Sequence, residues 1–197
     1  MEQLAFPAVL DACCGTRMMS FDRADPRALF IDKRQATYIV DRGTLGTTGR
    51  SPRVVAPDVL ADFTRMPFAD RTFRLVVFDP PHVRNVNRGS TTFANFGSLP
   101  NDWAALIRDG FRECFRVLCD FGVLIFKWAE NDIPVLDVLA LAPARPLFGH
   151  RSGKFTHWAV FIKNAAHVQT PPEEHCDRCG ALLSRTLTGG LVCRRCE

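Results

Sequence analysis

The sequence predicts an α/β protein built on a mostly parallel central sheet. Four short apolar runs each stop at an aspartate, and a turn containing a glycine follows the first of them. The carboxyl ends of parallel strands meet at one edge of a sheet, where ligands of open α/β folds bind. The pattern therefore predicts a binding edge lined with carboxylates. The four aspartates are Asp11, Asp32, Asp62 and Asp79.

The first two apolar runs, residues 8–10 and 28–31, predict short buried strands. The turn after Asp11 contains Gly15, and a glycine lets the backbone approach a ligand closely. The second run ends at Asp32, about twenty residues after Asp11, which is the spacing at which nucleotide-binding α/β folds place a ribose-binding carboxylate. These two units together indicate a nucleotide-type ligand.

The rest of the chain continues the alternation of strand and helix. Apolar residues recur at helical spacing from 103 to 118, with Asn101 or Asp102 available as the N-cap. This helix is explained by packing alone. The other predicted elements are strands at 59–61, 75–78, 122–126, 146–148 and 157–163 and a helix at 133–141.

The tetrapeptide Asp79-Pro80-Pro81-His82 stands where the fourth run ends and a polar loop begins. Prolines fix φ near about −65° and have no N–H, so the carbonyls of Asp79 and Pro80 are held ready to accept hydrogen bonds. An acidic group, two prolines and a flat ring form a rigid platform that can grip a planar amine. On these four residues alone, a stiff turn after a strand explains the motif equally well.

A long polar segment, residues 82–100, separates this motif from the next helix. It carries two cations that suit phosphates, Arg84 and Arg88, and two rings that suit base stacking, Phe93 and Phe96. A loop of this length inside a compact domain is usually a lid or a binding segment, and disorder is the alternative. We therefore predict that these four residues contact a substrate.

Together these residues resemble class I S-adenosylmethionine (SAM)-dependent methyltransferases, over residues 1–163. Asp11-x-x-x-Gly15 is similar to their first motif, Asp32 to their ribose-binding acid and Asp62 to the residue beside the adenine ring. Arg17 stands where many relatives have a second glycine, and on charge alone it or Lys127 is a candidate for the carboxylate of SAM. The cofactor-binding residues implied are Asp11, Cys13, Gly15, Arg17, Asp32 and Asp62.

The resemblance extends to a narrower group. The stretches 11–18, 126–128 and 146–154 look like a small methyltransferase family common in phage and prophage genomes. The family fold implies that the last strand, 157–163, is antiparallel and that the turn 149–154 emerges at the carboxylate-lined edge. Arg151 and Lys154 on that turn suit a substrate phosphate, although ordinary solvated hairpin charge explains them equally well.

The tetrapeptide resembles the catalytic motif of amino-methyltransferases, although His82 stands where they usually carry Tyr, Phe or Trp. In such a mechanism Asp79 and the Pro80 carbonyl accept both N–H bonds of an exocyclic amine, Pro81 stiffens the platform and His82 stacks on the base. The leading hypothesis is methylation of adenine N6 in DNA. Methylation of an RNA base amine comes second, and a non-catalytic SAM-binding or zinc-ribbon interaction protein is third.

Cysteine spacing predicts a metal site at the C-terminal end of the sequence. Cys176-x-x-Cys179 and Cys193-x-x-Cys196 form two knuckles thirteen residues apart, which is the pattern of a four-thiolate zinc ribbon. Only about 25 residues lie in this segment, too few to bury a core, so the metal must supply the folding free energy. The ribbon contacts either nucleic acid or protein, or only stabilises the chain.

Composition bounds these hypotheses. The chain has 197 residues, of which 47% are hydrophobic, and carries a formal charge of +4, which is weak support for a nucleic-acid partner. It shows no secretory signal and no apolar run of the roughly 20 residues that a membrane helix needs, so we expect a cytoplasmic protein with no membrane partner. The predicted organisation is a methyltransferase domain at 1–163, a linker at 164–174 and a zinc ribbon at 175–197.

Overall fold

The computed structural model describes residues 6–41, 50–164, 176–179, 184–185, 191–193 and 196. The segments 165–175 and most of 180–197 lie outside this range, so the predicted linker is not described and the predicted ribbon is described only in part. The strands of the central sheet are β1 (Val9–Asp11), β2 (Ala28–Asp32), β5 (Val59–Leu60), β6 (Phe73–Phe78), β7 (Leu118–Ala129), β8 (Phe148–Ser152) and β9 (Thr156–Ile162). Two hairpins add β3 (Ala36–Asp41) with β4 (Arg50–Val55), and β10 (Ser184–Arg185) with β11 (Leu191–Val192). The helices are α1 (Thr91–Phe96), α2 (Trp103–Val117) and α3 (Val135–Leu139).

The central sheet has seven strands in the order β5-β2-β1-β6-β7-β9-β8. All pairs from β5 to β7 are parallel, whereas β9 is antiparallel to both β7 and β8. This confirms the predicted α/β fold class, a mostly parallel sheet with an antiparallel last strand. β1 and β2 end on Asp11 and Asp32, and Asp79 follows β6 directly, so three of the four aspartates meet at one edge.

The connections between the first strands depart from a regular alternation. Residues 12–27, between β1 and β2, form turns without a helix, and the β3–β4 hairpin lies between β2 and β5. Segment 82–100 is not a plain loop, because α1 lies inside it. Ser90 caps that helix by accepting a hydrogen bond from the Phe93 N–H at 3.1 Å, and Arg84 forms a bridge with Leu99. The alternative of disorder is therefore wrong for this segment.

One face of the sheet carries the core, because α2 packs on β6 and β7. Side chains that alternate along the strands share a face, so Leu10, Val76 and Leu124, which are paired in register, all point to α2 and are fully buried. Phe111 of α2 contacts Phe126 at 4.8 Å between ring centroids. Each such ring stabilises the fold by about 2–3 kcal/mol on burial, and this packing fixes the carboxyl ends of β6 and β7. None of the helices in the described part of the chain is long and apolar enough to cross a membrane.

Candidate functional site

The turn after β1 packs directly against α1. Gly15 has φ +51°, and its N–H donates to Oδ2 of Asp32 at 2.9 Å. A Cβ at this position would lie 2.1 Å from the carbonyl oxygen of Asn95, so only glycine fits. The Thr16 hydroxyl also donates to Oδ1 of Asn95 at 3.1 Å. The glycine of the predicted cofactor motif therefore seats the C-terminal end of α1 on the sheet edge.

Asp32 is held by four hydrogen-bond donors. Besides the Gly15 N–H, the backbone N–H, Nε and Nη2 of Arg34 donate to its two carboxylate oxygens at 2.9–3.1 Å. The same guanidinium donates to the carbonyls of Phe93 at 2.9 Å and of Ala94 and Asn95 at 3.4 Å. We call this set of bonds, from Asp32 through Arg34 to the carbonyls of residues 93–95, the Arg34 clasp. It ties α1 to the end of β2.

A cavity of about 360 Å³ lies between the end of β2 and segment 82–100. Its volume falls within the range of small-molecule sites, about 300–1,000 Å³. It has an acidic corner, aromatic walls and cations. The predicted residues among its lining are Cys13, Asp32, Pro81, Arg88, Phe93 and Phe96, and Lys33, Arg34 and Phe63 line it as well. A smaller space of about 10 Å³ lies next to it, between Asp11, Asp79 and Asn95.

Asp11 ends β1 inside this edge and is buried. Its Oδ1 accepts a hydrogen bond from the Cys13 N–H at 3.3 Å. Burial raises the pKa of Asp11 to about 7, and the negative charges of Asp79 and Asp32 act in the same direction against that hydrogen bond. The edge therefore holds more carboxylates than it can keep ionised without cations nearby.

Asp79 forms a buried ion pair that the sequence analysis missed. Phe78 pairs with Phe126 in the parallel register of β6 and β7, so the next residues, Asp79 and Lys127, stand side by side. Lys127 Nζ lies 2.7 Å from Oδ2 of Asp79, whereas Oδ1 is buried and has no hydrogen-bond partner among the described residues. Burial raises the pKa of the Asp79 carboxyl, and Lys127 opposes that shift. Lys127 was considered only for the carboxylate of SAM.

The other members of the tetrapeptide lie beside this pair. His82 is buried, with its ring centroid 5.1 Å from that of Phe96 and 6.2 Å from that of Trp128. Burial lowers the pKa of His82, against the charge of Asp79, so the imidazole is neutral at pH 7. Pro81 lines the cavity. An aromatic side of the site therefore consists of His82, Phe96 and Trp128.

Two predicted cofactor residues have their side chains engaged elsewhere. The Arg17 guanidinium lies 4.1 Å from the Phe30 ring centroid and donates to Asp58 at 2.6 Å and to two backbone carbonyls, which ties the β1–β2 connection to the strand region before β5. Oδ1 of Asp62 accepts from the N–H and hydroxyl of Thr64 at 2.8–2.9 Å, closing its own turn. Phe63, the residue after Asp62, is the one that lines the cavity.

Three predicted substrate residues lie outside the cavity lining. Arg84 is exposed, and its backbone N–H donates to Asp132 at 2.8 Å. The predicted turn 149–154 is shorter than expected, because β8 runs to Ser152 and includes Arg151, and the turn that remains emerges at the carboxyl edge, where Thr156 pairs with Ala129 of β7. There the Arg151 guanidinium donates to the Lys154 carbonyl, and both side chains are exposed.

Sequence reasoning also missed Arg34 and Asn95. The signal for Arg34 is the pattern Asp-x-Arg at the end of β2, which permits a bidentate bond two residues along the chain. Asp25 and Arg27 make the same local bonds on the exposed surface, so the pattern alone does not mark a site. Its significance comes from the contact with α1, which no local pattern reveals.

The four predicted metal ligands cluster as expected. The Sγ atoms of Cys176, Cys179, Cys193 and Cys196 all lie within 4.8 Å of one another, with 3.8 Å between Cys176 and Cys196 and 3.4 Å between Cys179 and Cys193. Zinc–sulfur bonds of about 2.3 Å in a tetrahedron place sulfur atoms about 3.8 Å apart. The Cys196 N–H donates to the Cys193 carbonyl at 3.0 Å and closes one knuckle. The donor set and its spacing fit zinc.

Comparison with solved structures finds proteins of similar fold. The PH0226 protein from Pyrococcus horikoshii matches with a TM-score of 0.51 at 16% identity, over 79% of this chain and 81% of that protein. At this identity the likeness concerns the fold, here a mostly parallel sheet with an antiparallel last strand.

Two methyltransferases match less closely. One is the 1,6-didemethyltoxoflavin-N1-methyltransferase of Burkholderia thailandensis, with S-adenosylhomocysteine bound, at a TM-score of 0.47 and 13% identity over 82% of this chain and 73% of that one. The other is a SAM-dependent methyltransferase of Leishmania major, which matches with a TM-score of 0.46 at 12% identity, over 82% of this chain and 67% of that one. At these identities the likeness concerns the fold alone. No family model and no curated protein matches the sequence.

Proposed function

We propose that this protein is a SAM-dependent methyltransferase that acts on the exocyclic amine of a nucleobase, with adenine N6 in DNA as the first acceptor to test. Asp79 supports this most. Its Oδ1 is buried without a partner among the described residues, while Pro81 and Phe96 close by line a cavity of ligand size. A buried acceptor at such a place suits a ligand that brings N–H donors.

The cavity beside Asp32 fits the nucleoside part of SAM. Phe63 offers an apolar wall for a purine, and Asp32 lies in the corner where a ribose would need an acceptor. When bound, SAM supplies an electrophilic methyl group on a sulfonium. Because Asp32 already has four donors, a ribose hydroxyl would replace one of the bonds from Arg34.

The residues at the end of β6 would act on the acceptor. The lone pair of an exocyclic amine is delocalised into its ring, so the enzyme must hold both N–H bonds to direct that lone pair out of the plane. Oδ1 of Asp79 and the carbonyl of Pro80 supply the two acceptors and stabilise the positive charge that develops on nitrogen. His82 lies among rings, which suits stacking on the base.

Segment 82–100 would hold the nucleic acid. Arg88 and two rings, Phe93 and Phe96, line the cavity, which combines a cation for phosphate with faces for stacking. A base in a duplex must leave its stack to reach Asp79, and rings near the site can hold it outside. Arg84, Arg151 and Lys154 would contribute only as exposed charge around the entrance.

The proposed acceptor can be tested directly. Purified zinc-loaded protein is incubated with methyl-labelled SAM and with separate pools of unmethylated DNA and RNA, each pool is digested to nucleosides, and labelled products are identified by mass spectrometry. We expect N6-methyldeoxyadenosine from the DNA pool. Labelled adenosine from RNA alone would replace DNA by RNA as the substrate. SAM binding without label in any nucleoside would overturn the nucleobase proposal and favour a small molecule, a protein or no acceptor.

We also propose that the four-cysteine cluster holds one structural zinc ion. So short a segment needs the metal to fold, because it buries little apolar surface. Elemental analysis should give one zinc per chain, and Cys176→Ser should lose it, while Cys119→Ser, which changes a cysteine far from the cluster in sequence, should not. A wild-type protein that contains no zinc after expression in zinc-supplemented medium would overturn this proposal.

A further inference from the structure

Lys127 and Asp79 are brought together by the sheet itself. Lys127 belongs to β7, where it pairs with Trp158 of β9 and directly follows Phe126, the last residue of β7 that pairs with β6. The side chain of Lys127 is 18% exposed and that of Asp79 is 7% exposed, with 2.7 Å between Nζ and Oδ2. An ion pair so enclosed differs from an exposed one, which contributes little and rearranges freely.

The pair makes the two oxygens of Asp79 unequal. Oδ2 is bonded to Lys127, whereas Oδ1 is buried and has no partner among the described residues. Leaving a carboxylate oxygen buried without a donor costs free energy, and a ligand that supplies an N–H removes that cost. Because Oδ2 is fixed, the carboxylate plane cannot rotate to present either oxygen at will.

We propose that Lys127 is a positioning residue for methyl transfer: it holds Oδ2 of Asp79 so that Oδ1 alone accepts an N–H of the target amine. This rests on the proposed function, because it assigns a role within that same site. A fixed acceptor places the amine nitrogen in a single orientation toward the methyl donor, and orientation of this kind is a large part of enzymatic rate enhancement.

The charges around Asp79 give this role a measurable signature. Lys127 faces it from β7 and His82 from its own loop, while Asp11 and Cys13 face it from β1 and the turn that follows. Burial raises the pKa of Asp79, and the charge and hydrogen bond of Lys127 lower it. Without Lys127, the effect of burial on the pKa of Asp79 is opposed by His82 alone, so the Asp79 carboxyl keeps its proton to higher pH. A protonated carboxyl is a weaker acceptor.

The test compares pH profiles of kcat/KM for the wild type, Lys127→Met and Lys127→Arg. We expect Lys127→Met to lose about tenfold or more at pH 7, because the target amine loses its single orientation and the Asp79 carboxyl stays protonated to higher pH. The acidic limb of the Lys127→Met profile should lie at higher pH than that of the wild type, and the limb of Lys127→Arg should lie at the wild-type position. The dissociation constant for SAM should stay the same. A loss of equal size at every pH, with an unmoved limb, would overturn the proposal and leave Lys127 a packing residue.

Lys163→Met is the matched control. Lys163 is the other lysine with little exposure, and its Nζ donates to the Leu118 carbonyl at 2.7 Å at the opposite, amino-terminal end of β7. Its loss removes a buried ammonium without touching Asp79. We expect lower stability and an unmoved pH limb, and a limb that moved as in Lys127→Met would count against a specific role for Lys127.

A measurement that needs no acceptor separates the two proposals. Carbon-13 NMR of aspartate-labelled protein, with Asp79→Asn assigning the signal, gives the pKa of Asp79 in the wild type and in Lys127→Met. A higher pKa in Lys127→Met supports the positioning role even if no nucleobase is methylated, in which case only the proposed acceptor fails. An equal pKa in both proteins would overturn the positioning role whatever the substrate.

Discussion

Asp32 and Asp79 are two aspartates at the same edge of the sheet, yet the hydrogen bonds that each receives differ. Asp32 ends β2 and receives four hydrogen bonds, three of them from Arg34. Asp79 follows β6 and receives one, from Lys127, and its other oxygen has no partner among the described residues. A ligand can therefore bind Asp32 only by replacing one of its present donors, whereas the buried free oxygen of Asp79 can accept from a ligand without losing a bond.

The difference comes from where each cation lies in the chain. Arg34 is two residues beyond Asp32 and reaches onward to α1, so its charge joins two segments. Lys127 comes from the neighbouring strand and bonds only Oδ2 of Asp79, whereas the planar fork of the Arg34 guanidinium bonds both oxygens of Asp32. At the end of β2 the arginine therefore links two segments of the chain, and at the end of β6 the lysine leaves one carboxylate oxygen free to accept a hydrogen bond.

The largest effect is expected from Asp79→Asn. The amide oxygen can still accept from Lys127, which leaves the NH₂ group where Oδ1 was, so an acceptor becomes a donor facing the target amine. We expect methyl transfer to fall by about 100-fold or more, as when a single preorganised group is lost from an active site. Radiolabel transfer from SAM measures it, with thermal unfolding as the check on folding. Transfer at the wild-type rate would show that Oδ1 does not hold the acceptor.

Gly15→Ala disturbs the contact between the turn that bonds Asp32 and α1. The new Cβ would meet the Asn95 carbonyl, which is backbone and cannot turn aside, and φ +51° adds strain. We expect a loss of about 2–4 kcal/mol in the free energy of unfolding. Gly153→Ala is the control, because it has φ +68° but open space around its Cβ. It should lose only about 1 kcal/mol. Equal losses measured by denaturant titration would mean that α1 does not seat on Gly15.

Arg34→Ala removes the clasp itself. We expect the free energy of unfolding to fall by about 2–3 kcal/mol, because Asp32 loses the two guanidinium donors at a mostly buried site and the carbonyls of residues 93–95 lose theirs. Hydrogen exchange should rise in residues 90–97 as α1 loosens. Arg27→Ala is the matched control, since Arg27 makes the same bonds to Asp25 on the surface and should leave stability and exchange unchanged. Unchanged exchange in Arg34→Ala would mean that α1 is held by other contacts.

The smallest effect concerns Asp11, the third carboxylate of the edge. Because burial raises its folded pKa to about 7, far above the unfolded value, the folded protein binds a proton that the unfolded chain has released, and stability falls as pH rises through 7. Between pH 6 and pH 8 this costs about 1 kcal/mol. Asp11→Asn should lack that part of the pH dependence. Parallel pH curves of the two proteins in urea unfolding would contradict it.

The sequence predicted most of the sheet because its signals are local. Apolar runs that stop at Asp11, Asp32 and Asp79 mark strand ends directly, and the 103–118 helix is marked by its spacing, so α2 lies within one residue of its predicted bounds. The spacing of the four cysteines is likewise a local signal, and it predicted their cluster. α1 was missed because six residues with a polar surrounding show no period, and its position depends on Arg34 and Gly15, which are distant in the chain.

The sequence predicted several residues of the site, but it did not predict the bonds between them. Asp79 and Lys127 were both singled out, but their pairing depends on the register of β6 with β7, which aligns Phe78 with Phe126. Strand register follows from tertiary packing, not from either strand alone. Arg17 was placed by motif position, yet its charge is used by Asp58, because a turn without a following helix lets the side chain fold back over Phe30.

The Arg34 clasp bonds to α1 only through backbone carbonyls. Every residue type carries such a carbonyl, so half-buried Phe93 can be exchanged for other side chains without loss of these bonds, whereas Ala94 is fully buried and has no room for a larger one. The segment that would face the acceptor is therefore free to diverge among descendants of this gene while the scaffold beneath stays intact. Altered acceptor preference should be reachable by substitutions in α1 alone, which makes residues 91–93 and 96 the positions to randomise in a directed-evolution library while Ala94 and Asn95 are kept.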